Sequence, residues 1–265
     1  MYMKQYKKYI QIVVILSLCL ATVILDFIKI TYTENPIHNA YISKIIQQGL
    51  GILGVVLLLK YLNVKLFGTP QNLIYLLPCL VIAIDNFQWS SFLTGKMQLV
   101  HSQPLDVILF GAYCFSVGMF EECIFRGVIF SILASRFTKD RNGFWITYLF
   151  SSGVFAIAHL FNGLSFGTIL QVGYTFLTGG LFAFVLIKTK NLLCCGLVHA
   201  IYNFCGLLFE RPERMGLGSG VVFDLGTVLT MLIVSVCIGL FVLVSVYKYS
   251  DEERGVLYQK LGVKE

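Results

Sequence analysis

Residues 105–134 read LDVILFGAYCFSVGMFEECIFRGVIFSILA, an apolar run holding Glu121, Glu122 and Arg126 near its middle. About 20 apolar residues are enough to cross a bilayer as a helix. The run exceeds that length, and its surroundings give it no soluble alternative. Of the 265 residues 57% are hydrophobic and 13% are charged, against roughly 25% charged in a soluble domain. With a mean hydropathy of +0.79, too little polar surface remains to face water. The composition excludes a water-soluble globule and predicts an all-α, polytopic membrane helix bundle.

Working outward, apolar runs predict about eight spans, near residues 10–30, 42–62, 73–90, 105–134, 144–162, 166–187, 192–209 and 221–247. Residues 1–265 form one membrane domain on this reading. Pro78, Asp85 and Asn86 weaken the third span and predict a kinked or re-entrant segment. The start, MYMKQYKKY before an apolar run, resembles a secretory signal but lacks a small-x-small cleavage site, so a retained first span is expected. Lysines and arginines collect before the first span (Lys4, Lys7, Lys8) and after the second (Lys60, Lys65), fourth (Arg136, Lys139, Arg141) and sixth (Lys188, Lys190). The alternate connections carry fewer, which predicts cytoplasmic termini. Segment 31–41 is expected to be an external loop and 248–265 a mixed-charge tail. The net charge of +6 forms no basic stripe, so nucleic acid is excluded as a partner. The 8 cysteines lie in apolar stretches without a CxxC, and read as small buried hydrophobes.

An ionisable group deep in a bilayer costs about 2.5–3.5 kcal/mol even on a lenient scale. Glu122 and Arg126, four apart, share a helix face and suit an ion pair. Glu121 points about 100° away and is left for chemistry. Two further spans carry polar insertions: Phe155-Ala156-Ile157-Ala158-His159, and His199-Ala200-Ile201-Tyr202-Asn203, whose His199 and Asn203 lie one turn apart. Scattered on lipid-facing positions these groups would cost energy without return. A shared interior cavity satisfies them together, so Glu121, His159, His199 and Asn203 are expected to face one site. Asp26, Asp85 and Asp224 read instead as interfacial or helix-bonding carboxylates.

The order Glu121-Glu122-x-x-x-Arg126, Phe155-x-x-x-His159 and His199-x-x-x-Asn203, each on its own span, resembles the CPBP family of intramembrane proteases, which includes the type II CAAX-box prenyl endopeptidases and the bacteriocin-immunity (Abi) proteins. Lys190-Asn191-Leu192 and the preceding Gly179-Gly180 helix are placed as in bacterial members, and the resemblance covers residues 105–209. It implies a catalytic core there, with Glu121 activating the attacking water, His159 holding that water, and His199 and Asn203 polarising the scissile carbonyl. Glu122, Arg126 and Phe155 are left as orienting or structural residues. The implied substrate is a membrane-associated peptide or protein, and the implied setting is a multi-pass cell-membrane protein of bacterial type.

Amide hydrolysis needs a base, carbonyl polarisation and an oxyanion donor, and a carboxylate, imidazoles and an amide supply these. Glu121, His159 and His199 also make up the donor set of a catalytic zinc site, so one zinc ion and a metal-free glutamate mechanism both remain open. Ser116, Ser131, Ser151 and Ser152 lack a readable His and Asp partnership, which disfavours a serine protease. A proton-coupled transporter would tend to show inverted halves, and none is visible. A non-catalytic peptide-binding or immunity protein is the remaining alternative.

Overall fold

The computed structural model describes residues 31–87, 89–94, 103–137, 139–162, 166–208 and 225–263, besides Ser17, and shows helices and no strand among them. The expected first span and Asp26 and Asp224 lie outside the described residues. Helix α1 runs Pro36–Tyr61, α2 Leu76–Asp85 behind a short 3-10 turn at Leu73–Tyr75, and α3 Trp89–Leu93. Helix α4, Pro104–Glu122, continues through a π-helical turn, Cys123–Ile129, into α5, Phe130–Arg136. Then come α6 Arg141–Ala158, α7 Phe166–Thr189, α8 Leu192–Leu207, α9 Leu225–Tyr247 and α10 Asp251–Lys260. Among the described residues four stretches are long and apolar enough to cross a membrane alone: Pro36–Tyr61, Pro104–Arg136, Arg141–Phe161 and Gln171–Thr189. This is the expected polytopic helical bundle.

Three expectations are corrected. The segment 31–41 is not all loop, because Asn35-Pro36 opens a helix instead of a turn. The Asn35 side-chain oxygen accepts the amides of Ile37 and His38 at 2.9 and 3.4 Å, and Pro36 fills the first helical position, where its missing N–H costs nothing. The third span is shorter than 73–90, since α2 stops at Asp85 and Asn86 turns to donate its Nδ2–H to Tyr202 O at 2.9 Å. Pro78 falls in the first turn of α2, where it is tolerated. The charged tail is a helix: Ser250 and Glu253 form a capping box, α10 leaves the line of α9 at 92°, and Leu257 and Tyr258 reach the core. The seven described cysteines are free.

Glycines set the crossings that build the site. A Cβ on Gly118 of α4 would stand 2.9 Å from Ala200 N and 3.2 Å from Gly196 O, while one on Gly196 of α8 would stand 3.2 Å from Met119 Cα. The two backbones therefore touch, as small residues allow in membrane helix pairs. Gly179 of α7 meets Ser152 and Phe155 of α6 in the same way, with contacts at 3.2 Å. From Leu181 to Ile187 every residue of α7 is buried, so this half of the helix has its apolar surface covered on all sides, while Ile169, Tyr174 and Leu177 of the other half are exposed.

The turn from α7 to α8 is fastened to segment 62–72. Lys190 takes a left-handed φ of 50°. Asn191 caps α8 by accepting Cys194 N–H at 3.0 Å and donates its own Nδ2–H to Gly68 O at 2.5 Å. Leu192 N–H reaches Leu66 O at 2.8 Å, and Lys190 Nζ reaches Gln71 Oε1 at 3.0 Å. These bonds fix the axial position of the helix that carries His199.

Candidate active site

Glu121 and Glu122 lie one turn beyond Gly118, and His199 lies one turn beyond Gly196, so the close crossing of α4 and α8 brings them side by side. The π turn begins directly after the two glutamates, with Phe130 N–H bonding Phe125 O five residues back. Arg126 sits in this turn, fully buried. Its Nη1–H reaches Glu122 Oε1 at 3.1 Å and its Nη2–H reaches Gly179 O at 2.7 Å. The guanidinium lies over the Phe155 ring, 4.4 Å from the centroid, and 5.4 Å from that of Phe182. The expected Glu122–Arg126 pair is therefore present, and it joins α4, α6 and α7.

Glu122 does more than neutralise Arg126. The same Oε1 lies 2.8 Å from His199 Nδ1, so one buried carboxylate oxygen holds both the guanidinium and the imidazole. The far nitrogen, Nε2, faces Glu121 Oε2 at 3.8 Å. That gap is too long for a hydrogen bond. The Glu121 side chain is 28% exposed, while that of Glu122 is fully buried. The spacing gives the two glutamates different jobs and leads one to expect a buried Glu121; the structure buries Glu122 and leaves Glu121 partly exposed. It adds that His199 stands between them.

The imidazole is also held by its faces. Phe182 stacks on it at 4.4 Å and 18°, and Phe155 meets it edge-on at 5.9 Å. His159 opens a single 3-10 turn, His159–Asn162, at the end of α6. Its Nδ1–H donates to Phe155 O at 2.9 Å, and its ring meets the Phe155 ring at 4.9 Å. That bond leaves His159 Nε2 as the nitrogen available to a ligand. Phe155 thus touches Arg126, His159 and His199. Asn203 follows His199 by one turn of α8 and is half-buried.

Among the described residues no three His, Cys, Asp or Glu side chains are grouped as the ligands of one metal ion. Glu121, His159 and His199 are not assembled as a zinc set, so the chemistry below is derived from the side chains alone. Ser116, Ser131 and Ser152 each donate their hydroxyl to a carbonyl three or four residues earlier in their own helix, which is a packing role. The sequence also contains Gly163-Leu164-Ser165-Phe166-Gly167, with the spacing of a nucleophile elbow. Ser165 lies outside the described residues. The stretch joins two helices, whereas the elbow needs a strand-to-helix turn.

A buried carboxylate, a partly exposed one and an imidazole thus meet where two apolar helices cross. Residues 103–205 match the family model of Rce1-like proteins, the type II CAAX prenyl endopeptidases. The match supports a CPBP-family intramembrane protease and, in general terms, intramembrane CAAX endopeptidase activity in a multi-pass membrane protein. No curated protein and no solved structure matches the chain.

Proposed function

We propose that this chain is an intramembrane endopeptidase that hydrolyses a peptide bond of a membrane-associated peptide or protein, with Glu121 as general base. The observation that carries the reading is the position of His199, pinned by Glu122 on one nitrogen and facing Glu121 across 3.8 Å with the other. Glu121 takes a proton from water as the oxygen attacks the scissile carbonyl, with His159 Nε2 holding that water. The His199 imidazole and the Asn203 amide polarise the scissile carbonyl and stabilise the oxyanion that forms from it. Glu121 then passes its proton to the leaving amine, and the catalyst returns to its starting state.

On this reading residues 1–265 are one membrane domain, 105–209 its catalytic core, and both termini are cytoplasmic, as the lysine and arginine bias favours. The cargo is a membrane peptide such as a pheromone or bacteriocin, cleaved at the cell membrane of a bacterium. The test is cleavage of a membrane peptide by the purified protein in lipid. Glu121→Gln abolishes cleavage while leaving peptide binding in place. Cleavage that survives this substitution removes Glu121 as the base.

A further inference from the structure

A second site lies where α6 begins and α10 folds back. There a cavity of about 900 Å³ is lined by Lys139, Asp140, Arg141, Asp251, Arg254 and Tyr258, among others. Lys139 and Arg141 are exposed at its rim. The two carboxylates already have work: Asp140 accepts Gly143 N–H at 2.8 Å as the cap of α6, and Asp251 pairs with Arg254. Arg254 and Tyr258 are 6% and 5% exposed, and each keeps one buried atom, Nε and Oη, without a hydrogen-bond partner. Three cations, Lys139, Arg141 and Arg254, stand in the lining beside two carboxylates. The positive end of α6 points the same way.

The cavity's surroundings choose among acceptor-rich ligands. It joins the turn after one apolar stretch, 104–136, to the bend after another, 225–247, and so stands at a membrane boundary. Arg141 lies flat on the Tyr247 ring, 3.8 Å from its centroid, and donates to Tyr247 O at 2.7 Å. Tyr247 continues a stripe of α9, with Leu240 and Val244, whose members are 61%, 59% and 51% exposed. A cationic cavity opening onto an exposed apolar stripe fits a molecule with a phosphate at one end and an acyl chain at the other. We propose that Lys139 and Arg141 hold the phosphate of an anionic membrane lipid, with its acyl chain along Leu240 and Val244. Basic pockets between spans bind anionic headgroups by this chemistry.

The full chain, reconstituted in phosphatidylcholine vesicles, is tested with spin-labelled phosphatidylglycerol and spin-labelled phosphatidylcholine as probes of lipid held at the protein surface. The expected result is preferential retention of phosphatidylglycerol, weakened about 30-fold in Lys139→Gln/Arg141→Gln at roughly one lysine or arginine equivalent per substitution. Lys248→Gln, which removes an exposed lysine of the same end outside the cavity, should leave the preference unchanged. Equal loss with Lys248→Gln would reduce the effect to general surface charge and overturn the site. Undiminished preference in the double variant overturns it as well. Competition by millimolar inorganic phosphate would show a site for free phosphate and overturn the lipid assignment. Helical circular dichroism of each variant checks that the fold is intact.

Discussion

Arg126→Ala removes the one cation that joins three helices at the site. Its guanidinium faces a fully buried carboxylate at 3.1 Å, a backbone carbonyl at 2.7 Å and two aromatic rings. Breaking a buried pair from one side costs about 3–5 kcal/mol, because the remaining charge has no compensation. The charged hydrogen bond to Gly179 adds about 1.5–3 kcal/mol and the ring contacts about 2 kcal/mol. These overlap and do not sum, so the smallest defensible loss is about 3 kcal/mol, on the order of 100-fold in the unfolding equilibrium. Glu121→Gln should cost under about 1 kcal/mol, since the side chain is partly exposed and makes no hydrogen bond among the described residues. Removing both partners, in Glu122→Ala/Arg126→Ala, should be milder than Arg126→Ala alone. The measurement is denaturation by sodium dodecyl sulfate in mixed micelles, followed by helical circular dichroism. Equal destabilisation by Arg126→Ala and Glu121→Gln would refute the division of labour between the glutamates.

Four further outcomes are expected. Glu122→Gln should lower the turnover rate about 10–100-fold through a misoriented His199, read as kcat in the peptide-cleavage assay with KM little changed. Asn203→Ala should cut single-turnover cleavage by about 10²–10³-fold with binding preserved; weakened binding at unchanged turnover would take Asn203 off the catalytic path. Gly118→Ala drives a Cβ to 2.9 Å from backbone Ala200 N, while Gly196→Ala meets chiefly the movable Met119 sulfur at 2.6 Å, so melting and activity should suffer more from the first. Treatment with a strong zinc chelator should leave cleavage unchanged, and a loss restored by added zinc would put a metal into the mechanism.

Much of the site was legible because membrane burial makes each polar residue expensive. Glu121, Glu122, Arg126, His159 and His199 stood out against apolar runs, and the four-residue interval between Glu122 and Arg126 gave a pair without knowledge of any other helix. The bond from Glu122 to His199 was not legible. It joins residues 77 positions apart and depends on two glycines meeting, which no local spacing encodes. Caps were readable in principle and were misread in practice. Asn35-Pro36 carries both the signal of a turn and that of a helix start, and Ser250-x-x-Glu253 is a capping-box pattern overshadowed by the charge of the tail around it. The third span failed for a different reason: hydropathy counted its residues, but the side chain of Asn86 was needed by Tyr202 of another helix.

The π turn at Cys123–Ile129 gives the long helix two phases. A π turn takes one residue more than an α turn to cover the same arc, so everything after it is set by a different register from everything before. The glutamates follow the phase of α4, which is locked by Gly118 against α8. Phe130, Ser131 and Ala134 bury a face that follows the phase of α5. Winding Cys123–Ile129 as a regular α-helix with no residue removed would rotate one half by about 100° relative to the other. A chain of the same length without the π turn would have to choose between its core and its carboxylates.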